Sequence, residues 1–348
     1  MSKNITNQSN TRIYLIDYIK ITMSLIVVLY HYNFFIEKWK NDNMFRGGYI
    51  CVDIFFIIGG FFFSKNMKEK PNTKFIPFIM HKTKALYPHY IVSLIFATLV
   101  NMWVTGYDVF WDKNRIIAFV EEIFLVQEWG IVITPAAYYN NAAAWYISAM
   151  FFVFILFFFL FRISNRISYL LGVVAIGLTY FLYKHTGHMH VHAFINGHIS
   201  LGIIRAIIGM GFGCLAYEVM KWFKFKISAL GLSIILLCGL LVNIYTKNSI
   251  LDFAIIPISF IGIIFAYKYG EQRSKNPKTN SNNLLTSKYI GTLSYVIYLN
   301  HLTVKNIMNK IYVNYSVAHF VIVSLIVSVM ILITLELFIK LKNTLLNK

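Results

Sequence analysis

Charged residues are scarce in this sequence. Only 13% of its 348 residues are Asp, Glu, Lys or Arg, whereas a typical soluble domain has about 25%. Hydrophobic residues make up 58% of the chain, and the mean hydropathy is +0.62. This composition excludes a soluble globular enzyme, a nucleic-acid binder and a disordered chain. Because a transmembrane helix uses about 20 apolar residues, the chain has enough apolar sequence for about ten spans.

Cysteine is nearly absent as well. Cys51, Cys214 and Cys238 all lie in apolar runs without a CxxC spacing, which excludes a disulfide scaffold and is typical of small buried residues. Residues 1–12 also lack the short charged-then-apolar layout of a cleavable signal, so the sequence predicts none. The first apolar run, residues 13–36, is longer than a signal core and is therefore predicted to remain as a helix.

What the sequence does contain is a series of apolar windows of about 20 residues. They predict an all-α polytopic membrane bundle, formed by a single domain over residues 1–348 with no appended soluble domain. The ten predicted spans cover residues 13–36, 48–65, 85–105, 142–161, 167–183, 199–219, 227–246, 250–267, 289–309 and 317–339. Residues 115–128 form an amphipathic segment with three glutamates, which is predicted to lie at the membrane surface or in the interface.

The distribution of the basic residues predicts which way the bundle faces. The net charge is +18, and Lys and Arg concentrate on the cytoplasmic loops of multispan proteins. With ten spans, the N-terminus, the even-numbered loops and the C-terminus hold 21 Lys and Arg if Lys65 at the end of the second span is included. The odd-numbered loops hold 9 if Lys305 near the end of the ninth span is included. Both termini are therefore predicted to lie in the cytoplasm, and loops 106–141 and 184–198 are predicted to lie outside.

A few charged or ionisable residues fall inside the predicted spans, where such groups usually face a cavity or a partner. Lys20 and His31 are eleven residues apart, which places them on one helix face with a rise of about 16 Å between them. Asp53 and Arg205 are predicted at a depth similar to that of His31. A carboxylate beside a histidine fixes its tautomer and raises its basicity, so a catalytic pair is one interpretation. A structural pair inside the bundle is the other.

Six motifs in order along the chain resemble the acyltransferase-3 family of membrane acyltransferases. They occupy residues 15–35, 47–65, 78–93, 142–152, 204–218 and 290–301. The family has an arginine where this chain has Lys20, with ten residues between it and the histidine. Its Arg-x-x-Arg falls on Lys82 and Ala85, with Lys84 between them, and its Ser-Gly-Phe falls on residues 59–61.

The resemblance implies an enzyme that transfers an acyl group, usually acetyl from acetyl-CoA, to a hydroxyl of an extracytoplasmic or lipid-linked polysaccharide. It implies catalysis by His31, as general base or as acyl acceptor, with Asp53 as its partner. Arg205 or Lys20 would stabilise the developing negative charge. The phosphates of coenzyme A would bind at Lys82 and Lys84, with Lys20 further in.

The acceptor side is predicted from aromatic and histidine residues. Trp145 and Tyr146 are candidates for stacking on sugar rings, and His301 is a further candidate for the site. The histidine-rich loop 184–198 has no Cys or acidic partner, so no metal is expected.

The resemblance also implies a location and partners. It implies a multi-pass protein of a bacterial plasma membrane, with a surface or lipid-linked glycan and other membrane proteins of polysaccharide synthesis as partners. The alternative is a transporter or flippase of lipid-linked glycans without acyl-transfer chemistry. Such proteins commonly contain internal repeats, and no repeat is visible here.

Overall fold

The structure is a computed structural model, and it describes residues 13–33, 45–106, 112–131, 134–164, 166–189, 194–195, 199–222, 249–274, 282–312 and 314–346. The predicted span 227–246 lies outside the described residues. The described helices are α1 Tyr14–Tyr32, α2 Cys51–Glu69, α3 Phe75–Thr105, α4 Lys113–Phe124, α5 Trp145–Ile163, α6 Ile167–Thr186, α7 Leu201–Met220, α8 Ser249–Ser274, α9 Asn282–Ile311 and α10 Val317–Leu346. Short 3₁₀ turns form at Gly48–Ile50, Ala136–Tyr138 and Ala142–Ala144, and strands β1 Phe194–Ile195 and β2 Ile199–Ser200 pair antiparallel.

Eight of the described helices are long and apolar enough to cross a membrane: α1, α2, α3, α5, α6, α7, α8 and α10. The prediction of an all-α polytopic bundle is therefore confirmed, and the chain is a multi-pass membrane protein. Helix α9, which contains the predicted span 289–309, has 30 residues but a more polar sequence than these eight. Helix α4 has 12 residues, about 18 Å, which is too short to cross the hydrocarbon layer.

Helices α2 and α7 approach each other most closely through glycine. A Cβ atom on Gly60 would lie 2.1 Å from the carbonyl oxygen of Met210, and one on Gly213 would lie 2.1 Å from that of Ile57. Only a residue without a side chain fits at such a distance. These glycines therefore allow the backbones of α2 and α7 to come into contact, and we call this contact the glycine seam.

Helix α9 carries polar residues to two neighbouring helices. On one side, the Ser24 hydroxyl of α1 donates a hydrogen bond to the carbonyl oxygen of Ser294 at 2.8 Å. On the other side, the Asn300 amide donates to the Ser93 hydroxyl of α3 at 2.9 Å. Since both contacts are buried, the polar residues that distinguish α9 from the apolar helices are used inside the bundle.

Helix α4 is amphipathic, as predicted, but its faces are arranged differently from the expected surface helix. Glu121 and Glu122 are buried, whereas the apolar side chains of Ile116, Val120 and Phe124 are exposed. The Tyr90 hydroxyl of α3 donates to the carbonyl oxygen of Glu122 at 2.5 Å and ties the end of α4 to the bundle. An apolar face turned outward suits the membrane interface, and the glutamates point toward the protein.

Candidate active site

A cavity of about 400 Å³ lies between α1, α2, α3, α5 and α9. Lys20, His81 and Lys82 line one end of it, and Phe55, Tyr146 and Tyr298 line the other. The helix directions account for this division, because α1, α3 and α9 run opposite to α2 and α5. The result is a passage with cationic groups at one end and aromatic rings at the other.

The cationic end separates the two lysines that the sequence predicts together. The Lys82 ammonium lies 4.3 Å from the ring centroid of Phe154, a cation–π contact inside the cavity. Lys84 is exposed on α3 and is not one of the residues that line the cavity. Lys20 also lines the cavity, with its ammonium 3.2 Å from Asp17 Oδ1. The structure therefore brings Lys20 and Lys82 together, and the predicted placement of Lys84 beside them is wrong.

Beyond the aromatic end of the cavity lies a pair of histidines, next to Tyr298 of its lining. The rings of Tyr146 and Tyr298 lie 5.4 Å apart, and the ring of Tyr298 lies 5.8 Å from that of His301. His301 Nε2 lies 3.1 Å from His31 Nδ1. The sequence indicated His31 and His301 as separate candidates, and the structure brings them into direct contact.

Asp53 has a different partner from the one predicted. Arg205 donates from Nε to Asp53 Oδ1 at 3.1 Å and from Nη2 to Asp53 Oδ2 at 2.6 Å. Both residues are about 1% exposed. A guanidinium matches a carboxylate with two parallel hydrogen bonds, so it is a better partner for a buried Asp than an imidazole is. The predicted pairing of Asp53 with His31 is therefore wrong.

Trp145 and Tyr146 lie in the first turn of α5 and are engaged inside the bundle. Tyr146 is buried and lines the cavity, and the Arg205 guanidinium lies 5.1 Å from the ring of Trp145. Tyr146 therefore lies in the wall of the cavity and Trp145 beside Arg205, and the stacking of either ring on a sugar stays a prediction. Helix α5 turns both rings toward α2, and it also turns Trp145 toward α7 and Tyr146 toward α9. A hydropathy window does not indicate these directions.

Sequence reasoning missed a group of buried acids between α4 and α5. Glu122 accepts hydrogen bonds from both backbone N–H groups of Asn140 and Asn141, at 3.0 and 2.6 Å. Glu128 accepts one from the hydroxyl of Ser200, the N-cap of α7. Burial raises the pKa of Glu122 to about 7 and that of Glu128 to about 8. The sequence signal for this group is the presence of three acids in an otherwise apolar segment, because carboxylates in an apolar environment are costly unless they have partners.

Three of the five histidines of the predicted histidine loop, His190, His192 and His198, lie outside the described residues. Among the described residues, no group of three His, Cys, Asp or Glu side chains is placed to hold a metal ion.

The chain is similar to known proteins over most of its length. A family model described as an acyltransferase domain matches residues 13–336. The chain therefore belongs to the acyltransferase-3 family, as its motifs predicted. Proteins of Staphylococcus aureus strains COL, MSSA476 and MRSA252, each named "Putative O-acetyltransferase", are 25% identical to it over 325 residues. The match covers 86% of this chain and 52% of each relative, so the chain spans about half their length. No solved structure matches the chain.

Proposed function

We propose that this protein transfers an acyl group, acetyl in the first instance, from cytoplasmic acyl-CoA to a hydroxyl of an extracytoplasmic or lipid-linked polysaccharide. The observation that carries the proposal is the passage with Lys20 and Lys82 at one end and the histidine pair beyond the other. Membership of the acyltransferase family and the names of the relatives support the transfer of an acyl group. The donor and the acceptor are part of the proposal.

The cationic end of the cavity suits the donor. Coenzyme A carries several phosphate charges, and Lys20 and Lys82 supply cations at the end that the charge distribution predicts to be cytoplasmic. Lys20 and His31 are separated by a rise of about 16 Å, the length of about five extended residues. A pantetheine arm reaches that far, and the apolar walls formed by Phe55, Ile58 and Phe62 would exclude water around it.

The chemistry then needs one base. His31 takes the proton of the acceptor hydroxyl as the hydroxyl oxygen attacks the thioester carbonyl carbon. The C–S bond breaks, and the leaving thiolate takes up the proton from the His31 imidazolium. The products are the acyl ester and free coenzyme A. Transfer through an acyl-histidine intermediate would use the same ring nitrogen as the nucleophile.

The acceptor is the less constrained partner. The histidine pair lies toward the end of α1 that the charge distribution predicts to be outside, where a glycan hydroxyl would arrive. A surface or lipid-linked polysaccharide presents many such hydroxyls. Other membrane proteins of polysaccharide synthesis would supply this acceptor. The protein would lie in a bacterial plasma membrane.

The experiment compares surface glycans from cells that carry the wild-type gene, no gene, or a His31→Ala variant made at the same level. We expect O-acetyl groups, read as acetyl mass increments on the glycan, to be present with the wild type and lost in both other strains. A general base contributes roughly 10²- to 10⁴-fold to a rate, so the variant should fall below detection. Acylation by His31→Ala at the wild-type level would overturn the proposal.

The same measurement separates acyl transfer from glycan transport. If the gene encodes an acyltransferase, its deletion leaves the amount of surface polymer unchanged and removes only the acetyl groups. If it encodes a flippase or exporter, its deletion removes the polymer itself. Loss of polymer without any change in its acetyl content would therefore assign transport instead.

A further inference from the structure

We propose that His301 is a positioning residue that keeps the reactive lone pair of His31 on Nε2. This inference rests on the proposed function, because it concerns how the base of that reaction is prepared. It moves to His301 the orienting role that the sequence suggested for Asp53.

The hydrogen-bonding of His301 fixes which of its nitrogens carries the proton. His301 Nδ1 lies 2.6 Å from the carbonyl oxygen of Tyr298, one turn earlier in α9. A carbonyl oxygen only accepts hydrogen bonds, so Nδ1 is the donor. In a neutral imidazole the other nitrogen is then an acceptor, which here is His301 Nε2.

That acceptor faces His31. His301 Nε2 lies 3.1 Å from His31 Nδ1, and the carbonyl oxygen of Val27 lies 2.9 Å from the same His31 nitrogen. Both neighbours of His31 Nδ1 are acceptors, so this nitrogen carries the proton. The lone pair of His31 is consequently on Nε2, the atom that acts as base or nucleophile.

His301 does more in this arrangement than the Val27 carbonyl does. The Val27 carbonyl belongs to α1, so its hydrogen bond with His31 Nδ1 stays within one helix. His301 is about 1% exposed and comes from α9, so its bond ties the His31 ring to a second helix. The two rings are tilted by 53° with centroids 4.6 Å apart, a geometry of hydrogen bonding and not of stacking.

The choice of an imidazole over a carboxylate has a chemical consequence. When His31 takes up a proton it becomes a cation, and a neutral His301 still accepts its Nδ1 hydrogen. The partner adds no negative charge, so it orients the base without making it strongly basic. A base of ordinary strength gives its proton to the leaving thiolate more readily than a strongly basic one does.

The test compares His301→Leu, which removes the acceptor, with His301→Gln, whose side-chain oxygen accepts a hydrogen bond. The exposed His319 of α10 provides a matched control, His319→Leu. Acetyl transfer from acetyl-CoA is measured on purified protein in liposomes with an acceptor glycan. We expect His301→Leu to lower kcat by up to about 10²-fold with little change in the KM for acetyl-CoA, since the variant misplaces the base but does not remove it. His301→Gln should recover most of that loss, and His319→Leu should equal the wild type.

A second measurement keeps the inference testable if a His301 variant does not fold. The tautomer of His31 is read from the ¹⁵N shifts of histidine-labelled wild-type protein, assigned by difference from a His31→Asn sample. The inference requires the proton on Nδ1, and a proton on Nε2 would overturn it. So would wild-type kcat in both His301 variants. If His31→Ala lost activity in the same assay, the proposed function would stand without this inference, whereas an active His31→Ala would remove both.

Discussion

At the scale of the residue, Lys82 and Lys84 are close in the chain but differ in their environment. They lie two positions apart on α3, so they point to different sides of the helix. Lys82 enters the cavity and contacts Phe154, whereas Lys84 is exposed. The sequence indicates that a basic site lies here, but it does not show which lysine faces the interior.

This difference gives a prediction with its own control. Lys82→Glu should weaken acetyl-CoA binding about 10- to 100-fold, the equivalent of about 1.5–3 kcal/mol, because a charge-assisted contact becomes a repulsion. Lys84→Glu changes the net charge equally and should leave the affinity close to that of the wild type. Titration calorimetry in detergent measures both. Equal weakening by the two variants would mean that only the overall charge of this surface matters.

Glu128 predicts a pH dependence of stability. Burial raises the pKa of Glu128 from 4.5 to about 8, so the folded protein holds this proton more tightly than the unfolded chain does. The resulting stabilisation is complete below pH 4.5 and is lost as the pH rises to about 8. Glu128→Gln keeps an acceptor for Ser200 and removes the titration.

Thermal unfolding in detergent tests this prediction between about pH 5 and about pH 9. The wild-type Tm should fall more steeply over this interval than that of Glu128→Gln. The exposed Glu69 supplies a control, Glu69→Gln, whose profile should follow the wild type. Parallel profiles for wild type and Glu128→Gln would contradict the assignment.

The partner of a buried charge is harder to predict than the charge itself. Helix spacing and the family motifs were enough to select His31, Asp53, Arg205 and His301. They did not determine the pairing, because several groups at one depth compete for each carboxylate or imidazole. The bidentate fit of Arg205 decides the competition for Asp53, and that fit depends on how α2 and α7 pack.

At the scale of the element, hydropathy locates helices well where they are apolar and poorly where they are not. The predicted span 199–219 corresponds to α7, Leu201–Met220, and the span 142–161 corresponds to α5, Trp145–Ile163. Helix α3 begins at Phe75, ten residues before the predicted span. The added turns contain His81, Lys82 and Lys84, whose polarity hides a helix from an apolar window.

The glycine seam makes a prediction about helix packing. Gly60→Ala should destabilise the protein by about 1–3 kcal/mol, because the new methyl group overlaps the backbone of α7 and must force the helices apart. Gly177→Ala on α6 is the matched control, since its Cβ would meet no atom within 4 Å. In an exposed helical position this change should be neutral or stabilising by about 0.5–1 kcal/mol. Thermal unfolding measures both, and equal Tm values for the two variants would contradict the close contact.

At the scale of the whole molecule, the orientation in the membrane is a prediction of the charge distribution alone. It is tested with a membrane-impermeant thiol reagent on intact cells. Ile131→Cys, in the loop predicted to be outside, should be labelled, because Ile131 is 67% exposed. Asn72→Cys, in the exposed turn between α2 and α3, should be labelled only after the cells are opened.

The native cysteines should contribute little labelling in this experiment. Cys51 and Cys214 are buried, and a Cys238→Ser change removes the third thiol. Labelling of Asn72→Cys from outside, with protection of Ile131→Cys, would invert the topology. It would also place the cationic end of the cavity on the wrong side for a cytoplasmic donor.

The bond between Asp53 and Arg205 has a further consequence for how the protein is made. Its partners are 152 residues apart in the chain. At a synthesis rate of about 5–20 residues per second, α7 emerges roughly 8–30 s after α2. Throughout that interval the Asp53 carboxyl group of α2 lacks the guanidinium that pairs with it in the folded protein. The pair therefore cannot form when α2 is inserted, and this contact between α2 and α7 is completed only after α7 has been made.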